Sequence, residues 1–444
     1  MSSDILDIGH FLIKALSKSF DEIITKLMHI NRTMVKLWNN EPSIIQSWSI
    51  LRVELRLTRS KRTWILRHEV ENPLDIVKLA ERFHLIAEKM EETELYAPLP
   101  DPVSYKPVEG IYDGRIENVA KDPSKIAEMI VDEALAQGVD RVAGTITLSS
   151  VHRALITSKG FEGLERKSSI EAYIRAFKGE YSGHWAYAST KIDMNKLREV
   201  GRKAGHYATI MCNKAEFTPG KYDIVISPLV VGNLFNYIAN MASAFNVMVG
   251  YSMFIKYRPG DVVGSEAISL IDRPREPMLP GACGFDDEGV ETYDKPLIER
   301  GVFKGYLHNT ATAIKMNEKT TGNANWMVPR AWNLEITPGS IKEDELPSEL
   351  RNGVIIMNNW YTRLQNYIEG LFSTVSKDAV FIVKNGEIAG QVDRVRIACS
   401  FPHILSNIVG ASRELYSISW WEVQIPTMAP YLLIRDVPLT KPEI

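Results

Sequence analysis

Three cysteines in 444 residues, Cys212, Cys283 and Cys399, are too few and too scattered to staple a fold. A disulfide framework is thereby excluded, and reduced thiols in a cytoplasmic protein are the expected state. An excess of one charge is also missing. The 52 basic and 55 acidic residues leave a formal net charge of -3, which exerts no pull toward nucleic acid or an anionic membrane. No apolar run reaches the ~18–20 residues of a membrane span, and the most apolar stretch, 223–255, is broken by Asn233, Asn236, Asn240 and Asn246. The first residues carry Asp4 and Asp7 where a secretory leader would be basic, while Ile5, Ile8, Leu12, Ala15 and Leu16 fall at helical spacing. An amphipathic surface helix is expected there. The 9 histidines are spread without an H-x-H or HExxH pair, and there is no CxxC, nucleophile elbow, P-loop or GxGxxG. His206 and Cys212, six apart, read as structural. What remains is a soluble protein of ordinary composition, 45% apolar and 24% charged.

The pattern along the chain points to an α+β protein. LRVELRLT (51–58) alternates apolar and polar residues, as a half-buried antiparallel strand does. With MHINRTMVKLW, SIIQSWSI and RTWILRHEVE it predicts a meander of about four strands, followed by a helix over 73–92. The basic cluster Arg52, Arg56, Arg59, Lys61, Arg62 and Arg67 then reads as a solvated sheet face. Five prolines between 98 and 123 mark a linker. Beyond it, a helix over 125–137, strands at 142–148 and 151–157, a further strand pair ending in YSGHWAYAST and a helix over 193–208 form a second unit. The expected division is an N-terminal α+β domain (1–95), a Pro-rich linker (96–123), a middle α+β unit (124–220) and a β-rich C-terminal domain (221–444). Both N-terminal units are expected to be sandwich-like, with antiparallel sheets, and the last domain to hold one conspicuous core helix.

That helix follows the apolar strand YDIVI. Ser227 suits its N-cap and Pro228 its first position, with Leu234, Ile238, Met241, Ala242 and Phe245 on one face. A core helix over 228–245 is expected from these residues alone. Downstream, Asp286, Asp287 and Glu288 precede Gly289. Three readings stand for this trio: a solvated turn, a turn held by carboxylate-to-backbone hydrogen bonds, or carboxylates presented to a partner or peptide.

Taken together, these segments resemble the TldD/TldE (PmbA) peptidase family. The likeness rests on the Pro-initiated helix with Gly232, on the hairpin turn Thr157, Ser158 and Gly160, and on one long block. That block supplies Asp272 and Pro274, then Phe285 through Gly289, Ile298, Gly301, Gly305, Tyr306 and Leu307, and finally Thr321, Gly322, Asn323 and Ala324. In the zinc-bearing TldD branch the helix carries H-E-x-x-x-H, and a late cysteine adds a ligand. Placed from Pro228 and Gly232, that motif falls here on Asn236, Tyr237 and Met241. Asparagine is a poor zinc ligand, methionine suits softer metals, and a phenol with a pKa near ~10 is a weak general base at neutral pH. The C-terminal segment ELYSISWWEVQIPTMAP has no cysteine. Other family segments are also altered: around 370–390 only Gly370, Ser376, Asp378 and a following I-V-x-N-G-E-I run survive.

The resemblance therefore implies a metal-free, TldE/PmbA-like subunit with no catalytic residue and no cofactor of its own. Its expected partner is a zinc-bearing TldD-like subunit, and its expected substrate an unfolded or small peptide. Asp286, Asp287, Glu288 and Asn323 are the candidate contacts to substrate or partner. A homodimeric, non-enzymatic peptide-binding or scaffold protein is the alternative.

Overall fold

A computed structural model describes residues 2–69, 73–87, 89 and 91–442. It is a mixed α+β molecule dominated by antiparallel sheet. Helix α1 (Ser2–Leu16) precedes β1 (Glu22–Trp38), β2 (Glu41–Arg59) and β3 (Arg62–Glu69), and α2 (Pro73–Ala87) follows. The tail of the expected 73–92 helix includes positions 88 and 90, outside the described residues. After the Pro-rich stretch come α3 (Gly114–Val119), α4 (Ser124–Leu135), β4 (Arg141–Thr157), β5 (Glu162–Lys178), β6 (Tyr181–Ser189) and α5 (Met194–Thr209).

The strands on either side of the Pro-rich stretch make one sheet, in the order β3-β2-β1-β4-β5-β6. Where four strands were expected before residue 70, there are three. SIIQSWSI and LRVELRLT form the single strand β2, because pairing with β1 continues unbroken through Ile30↔Ile50, His29↔Leu51 and Met28↔Arg52. No Gly, Pro or Asn interrupts the backbone there. Likewise 142–148 and 151–157 join in β4, with Ser149 and Ser150 kept in register opposite Arg32 and Asn31.

The faces of this sheet differ from the expectation more than its strands do. Val53, Leu55 and Leu57 pack with Leu12 and Leu16 of α1, as a half-buried strand should. The opposite face, Glu54, Arg56 and Thr58, is buried as well, because the C-terminal part of the chain lies across it. The basic cluster is therefore not uniformly solvated. At the other end of the sheet α5 packs on α4 with almost no clearance: a Cβ on Gly201 would come within 2.1 Å of the Ile130 carbonyl oxygen. This is one place where only glycine lets the two backbones meet.

Beyond residue 219, β7 (Gly220–Ile226) runs into α6 (Pro228–Met241). β7 lies inside a nine-stranded sheet, between the strands Gly353–Ile356 and Leu432–Thr440, and a second, six-stranded sheet completes this part. Leu234, Phe235 and Ile238 of α6 are wholly buried in a core that draws on both sheets. The expected helix over 228–245 stops at Met241. Leu307 is the cause: its N–H bonds the Ala242 carbonyl and its C=O accepts the Ala244 N–H, both at 2.9 Å. These bonds pull the chain out of the helix before the short turn Ala244–Met248.

Candidate functional site

α6 begins as its sequence demands. Ser227 Oγ accepts the Leu229 N–H at 3.2 Å and donates to the Met357 carbonyl at 2.6 Å, with Pro228 in the first turn. One turn further, Asn233 and Asn236 face the strand Val423–Ala429. Asn233 Nδ2 donates to the Glu422 carbonyl at 2.8 Å. Asn236 is bound still more completely. Its Oδ1 accepts the Ile425 N–H at 2.7 Å, and its Nδ2 donates to the Ile425 carbonyl at 3.1 Å and to Thr427 Oγ1 at 3.0 Å. The amide thus copies a neighbouring strand and stitches α6 to the segment in which a late cysteine was sought.

The other two motif positions are also committed to structure. Tyr237 donates its hydroxyl to the Thr362 carbonyl at 3.1 Å, and burial, with Glu422 nearby, pushes its pKa up rather than toward neutrality. Met241 is 2% exposed and packs in the main core. An amide oxygen engaged with a backbone N–H, a phenol turned to a carbonyl and a core thioether do not fit a zinc ion, which takes imidazole, thiolate or carboxylate donors. Among the described residues no group of three or more His, Cys, Asp or Glu is placed to hold a metal.

Sequence reasoning missed the polar cluster beside this helix. Asn359 Nδ2 reaches Asn233 Oδ1 at 2.8 Å and Thr374 Oγ1 at 2.9 Å, and Thr362 Oγ1 donates to the same Asn233 oxygen at 2.7 Å. All four residues are buried. Their sequence separations exceed a hundred residues in part, so no local motif announces them. Asp378, one of the surviving family positions, likewise has a buried side chain. It binds Arg175 of β5 at 2.5 and 3.1 Å and accepts from Asn358 at 2.8 Å.

The acidic trio is not a solvated turn: Asp286, Asp287 and Glu288 are 0%, 1% and 2% exposed. Asp286 behaves as the second reading requires, with Oδ1 accepting the N–H groups of Glu288 and Val290, each at 2.9 Å, and Oδ2 that of Ala324 at 3.0 Å. Burial and the adjacent Glu288 push its carboxyl up to about 7, against the pull of those three N–H groups. The other two carboxylates cross to the N-terminal sheet. Asp287 meets Lys26 of β1 at 2.9 Å and Arg153 of β4 at 3.1 Å, and Glu288 meets Arg56 of β2 at 2.7 Å. Glu54 of β2 completes the lattice, accepting from Trp326 Nε1 at 2.8 Å and pairing with Lys26 at 3.4 Å. Glu288 also receives the N–H and hydroxyl of Thr310, at 2.9 and 2.6 Å. Asn323 sits nearby, its Nδ2 on Asp272 at 2.7 Å and on the Arg330 carbonyl at 2.9 Å, its buried Oδ1 without a partner among the described residues. The cations that complete this lattice, Lys26, Arg56 and Arg153, were visible only as single polar residues within β1, β2 and β4, the same signal that a solvated face gives.

Comparison with known proteins agrees with the motifs. Profiles of the PmbA/TldA metallopeptidase central and C-terminal domains match residues 86–211 and 219–441. A metalloprotease of Methanothermobacter thermautotrophicus is 25% identical over 304 residues, 65% of this chain and 66% of that protein. A Synechocystis metalloprotease is 27% identical over 263 residues, 55% of each chain. The matched region is thus less than two thirds of either relative's length. The crystal structure of TldE from Thermococcus kodakarensis shares the fold, with a TM-score of 0.86 at 19% identity over 98% of this chain and 100% of that one. With two domain profiles in order along most of its length, this chain belongs to the PmbA/TldD metallopeptidase family.

Proposed function

We propose that this chain is the metal-free, TldE-like subunit of a two-chain cytoplasmic peptidase. A zinc-bearing TldD-like partner supplies the hydrolytic centre, and this chain supplies chamber wall and part of the cleft for an unfolded or small peptide. The observation that carries the reading is the fate of the motif position Asn236, whose amide spends its acceptor and both donors on Ile425 and Thr427. Metal-assisted hydrolysis needs a polarised water, and nothing on this face of α6 is free to hold the ion that would polarise one. On this reading Asp287 and Glu288 fix the C-terminal part against the N-terminal sheet, while Asp286 and Asn323 hold the turn and its neighbouring segment in shape.

A homodimeric, non-enzymatic peptide binder is the second reading. It is favoured by the first half of β2. Among the described residues, register with β3 covers only Arg52–Arg59, which leaves 41–51 paired there on one side alone, with Ile44 and Ile45 about half exposed. An edge of that kind accepts an extended peptide.

One experiment separates them. The purified chain, alone and with a co-expressed TldD-like partner, is assayed for zinc content and for cleavage of an unfolded peptide. The heterodimer reading expects no stoichiometric zinc and no cleavage alone, and chelator-sensitive cleavage with the partner. About one zinc per isolated chain, or chelator-insensitive cleavage without the partner, overturns it. Peptide binding by a homodimer that never joins the partner supports the second reading.

A further inference from the structure

Between α5 and the nine-stranded sheet lies a cavity of about 700 Å³, far from the trio and on the other side of the sheet from the core face of α6. Packed interiors leave few voids larger than a water molecule, and small-molecule sites run from about 300 to 1,000 Å³. Its floor is apolar: Val225 of β7, Ile355 and Met357 after it in the sheet, Phe381, and Ile388 on the edge strand Glu387–Gln391.

The polar groups at its inner end are satisfied among themselves. Glu343 accepts Lys203 Nζ at 2.5 Å and the hydroxyls of Tyr207 at 2.7 Å and Tyr431 at 3.0 Å, and it also accepts the Tyr416 hydroxyl. The Lys203 ammonium lies over the rings of Trp185 and Tyr416, 4.8 and 4.7 Å from their centres. Burial resists the charge of Glu343, yet Lys203 and the hydroxyls outweigh it and hold its carboxyl below the usual range. An occupant therefore gains nothing polar there and meets only apolar surface deeper in. At the mouth the situation reverses. Arg202 and His206, four apart on α5, are exposed, and among the described residues neither has an ion-pair or hydrogen-bond partner. Of the other charged groups lining the cavity, Glu199 pairs with Lys196 at 2.9 Å, Lys342 pairs with Glu345 at 3.0 Å, and Glu414 accepts the Glu343 N–H at 3.2 Å; Asp344 disfavours a second negative charge on whatever Arg202 receives.

We propose that this cavity is a binding site for a small amphipathic monocarboxylate, its apolar body on the Val225–Phe381 floor and its carboxylate at Arg202 and His206. The proposal does not depend on the peptidase reading above. Guanidinium and carboxylate make a charge-assisted pair, and the rest of the binding comes from apolar area removed from water.

The test is calorimetric titration of the full chain with dodecanoate, below its micellar concentration, and with dodecylammonium as a charge control. One dodecanoate per chain is expected, bound at least tenfold more tightly than the amine. Arg202→Glu, at an exposed helix position, should abolish that preference while leaving the melting temperature in place. Ile388→Trp, which fills the floor from a half-buried edge position, should weaken both amphiphiles. Absence of saturable dodecanoate binding, equal binding of the two amphiphiles, or a preference that survives Arg202→Glu overturns the proposal.

Discussion

Asn236→Ala is the substitution that best separates a structural α6 from a functional one. Truncation removes the acceptor for the Ile425 N–H and the donors to the Ile425 carbonyl and Thr427 Oγ1. The carbonyl keeps one partner, because Thr427 Oγ1 also donates to it, at 2.8 Å. The cost therefore falls mainly on the buried N–H, about 1–3 kcal/mol for a main-chain group left unmet. The space vacated by the amide adds roughly 1 kcal/mol. A total of about 2–4 kcal/mol corresponds to a melting temperature lower by about 5–15 °C in a domain of this size. Thermal melting gives the magnitude, and amide exchange at Ile425 gives the place. Asn236→Asp keeps the acceptor but sets a carboxylate against the Ile425 carbonyl, so it should be destabilised without the same loss of Ile425 protection. If Asn236→Ala melts within about 1 °C of the parent and Ile425 stays protected, the stitch has no energetic weight and the reasoning fails.

Within the core, Leu234→Ala or Ile238→Ala should cost about 2–5 kcal/mol by denaturant unfolding, whereas Met241→Leu should stay within about 1.5 kcal/mol; a Met241→Leu variant that folds normally yet inactivates an assembled complex would show chemistry at that position. Burial by itself would raise the Asp287 pKa, but Lys26 and Arg153 outweigh it and hold it below its ordinary value. Its stabilisation is therefore complete above about pH 5 and is lost progressively as pH falls further. The stability gap between the parent and Asp287→Asn should accordingly shrink between about pH 5 and 3, and a gap independent of pH would refute the pairing. The triple variant Asn236→His, Tyr237→Glu, Met241→His should bind no stoichiometric zinc and melt lower than the parent. It breaks the Ile425 stitch, turns a carboxylate toward the Thr362 carbonyl and buries an imidazole in the core, and no late cysteine or orienting shell awaits the metal. Tight zinc binding by a stably folded triple variant would show that the site is only masked.

Alternation, caps and helical periodicity made much of this fold readable, since each is a local consequence of backbone geometry. The meander, the Ser227-Pro228 start of α6 and the Asp193 cap of α5, whose carboxylate accepts the Asn195 and Lys196 N–H groups at 2.9 and 3.2 Å, were all present in short windows of sequence. The errors came from long-range contacts. Glu54, Arg56 and Thr58 occupy one face of β2 at every second residue, and the sequence pattern is the same whether that face meets water or a buried counter-charge. Here the distant partners arrive from more than two hundred residues away, the Glu288 carboxylate on Arg56 and the neutral Trp326 indole N–H on Glu54. The end of α6 was misplaced for the same reason, since Ala242 and Phe245 continue the helical spacing and only the distant Leu307 backbone stops it.

The motif positions carry this argument one step further. Losing imidazole and carboxylate from a metal-site helix leaves vacancies in a buried interface, and an unmet polar group there is costly. At Asn236 the replacement is an amide, which supplies an acceptor and two donors in the geometry of a peptide group. That is the side chain suited to meeting both the N–H and the C=O of one residue, Ile425, on the facing strand. A helix carrying an apolar residue at 236 would leave the buried Ile425 N–H without its acceptor. This one holds Val423–Ala429 in register through Asn233 and Asn236, three residues apart on the same face. The strand so positioned leads back to the buried Trp420 and to Trp421, which is 72% exposed. On the heterodimer reading, Trp421 is an apolar surface open to a peptide or the partner subunit. Asn236→Ala should therefore weaken partner or peptide binding along with stability, whereas Leu234→Ala, which removes none of the stitch's hydrogen bonds, should weaken stability alone.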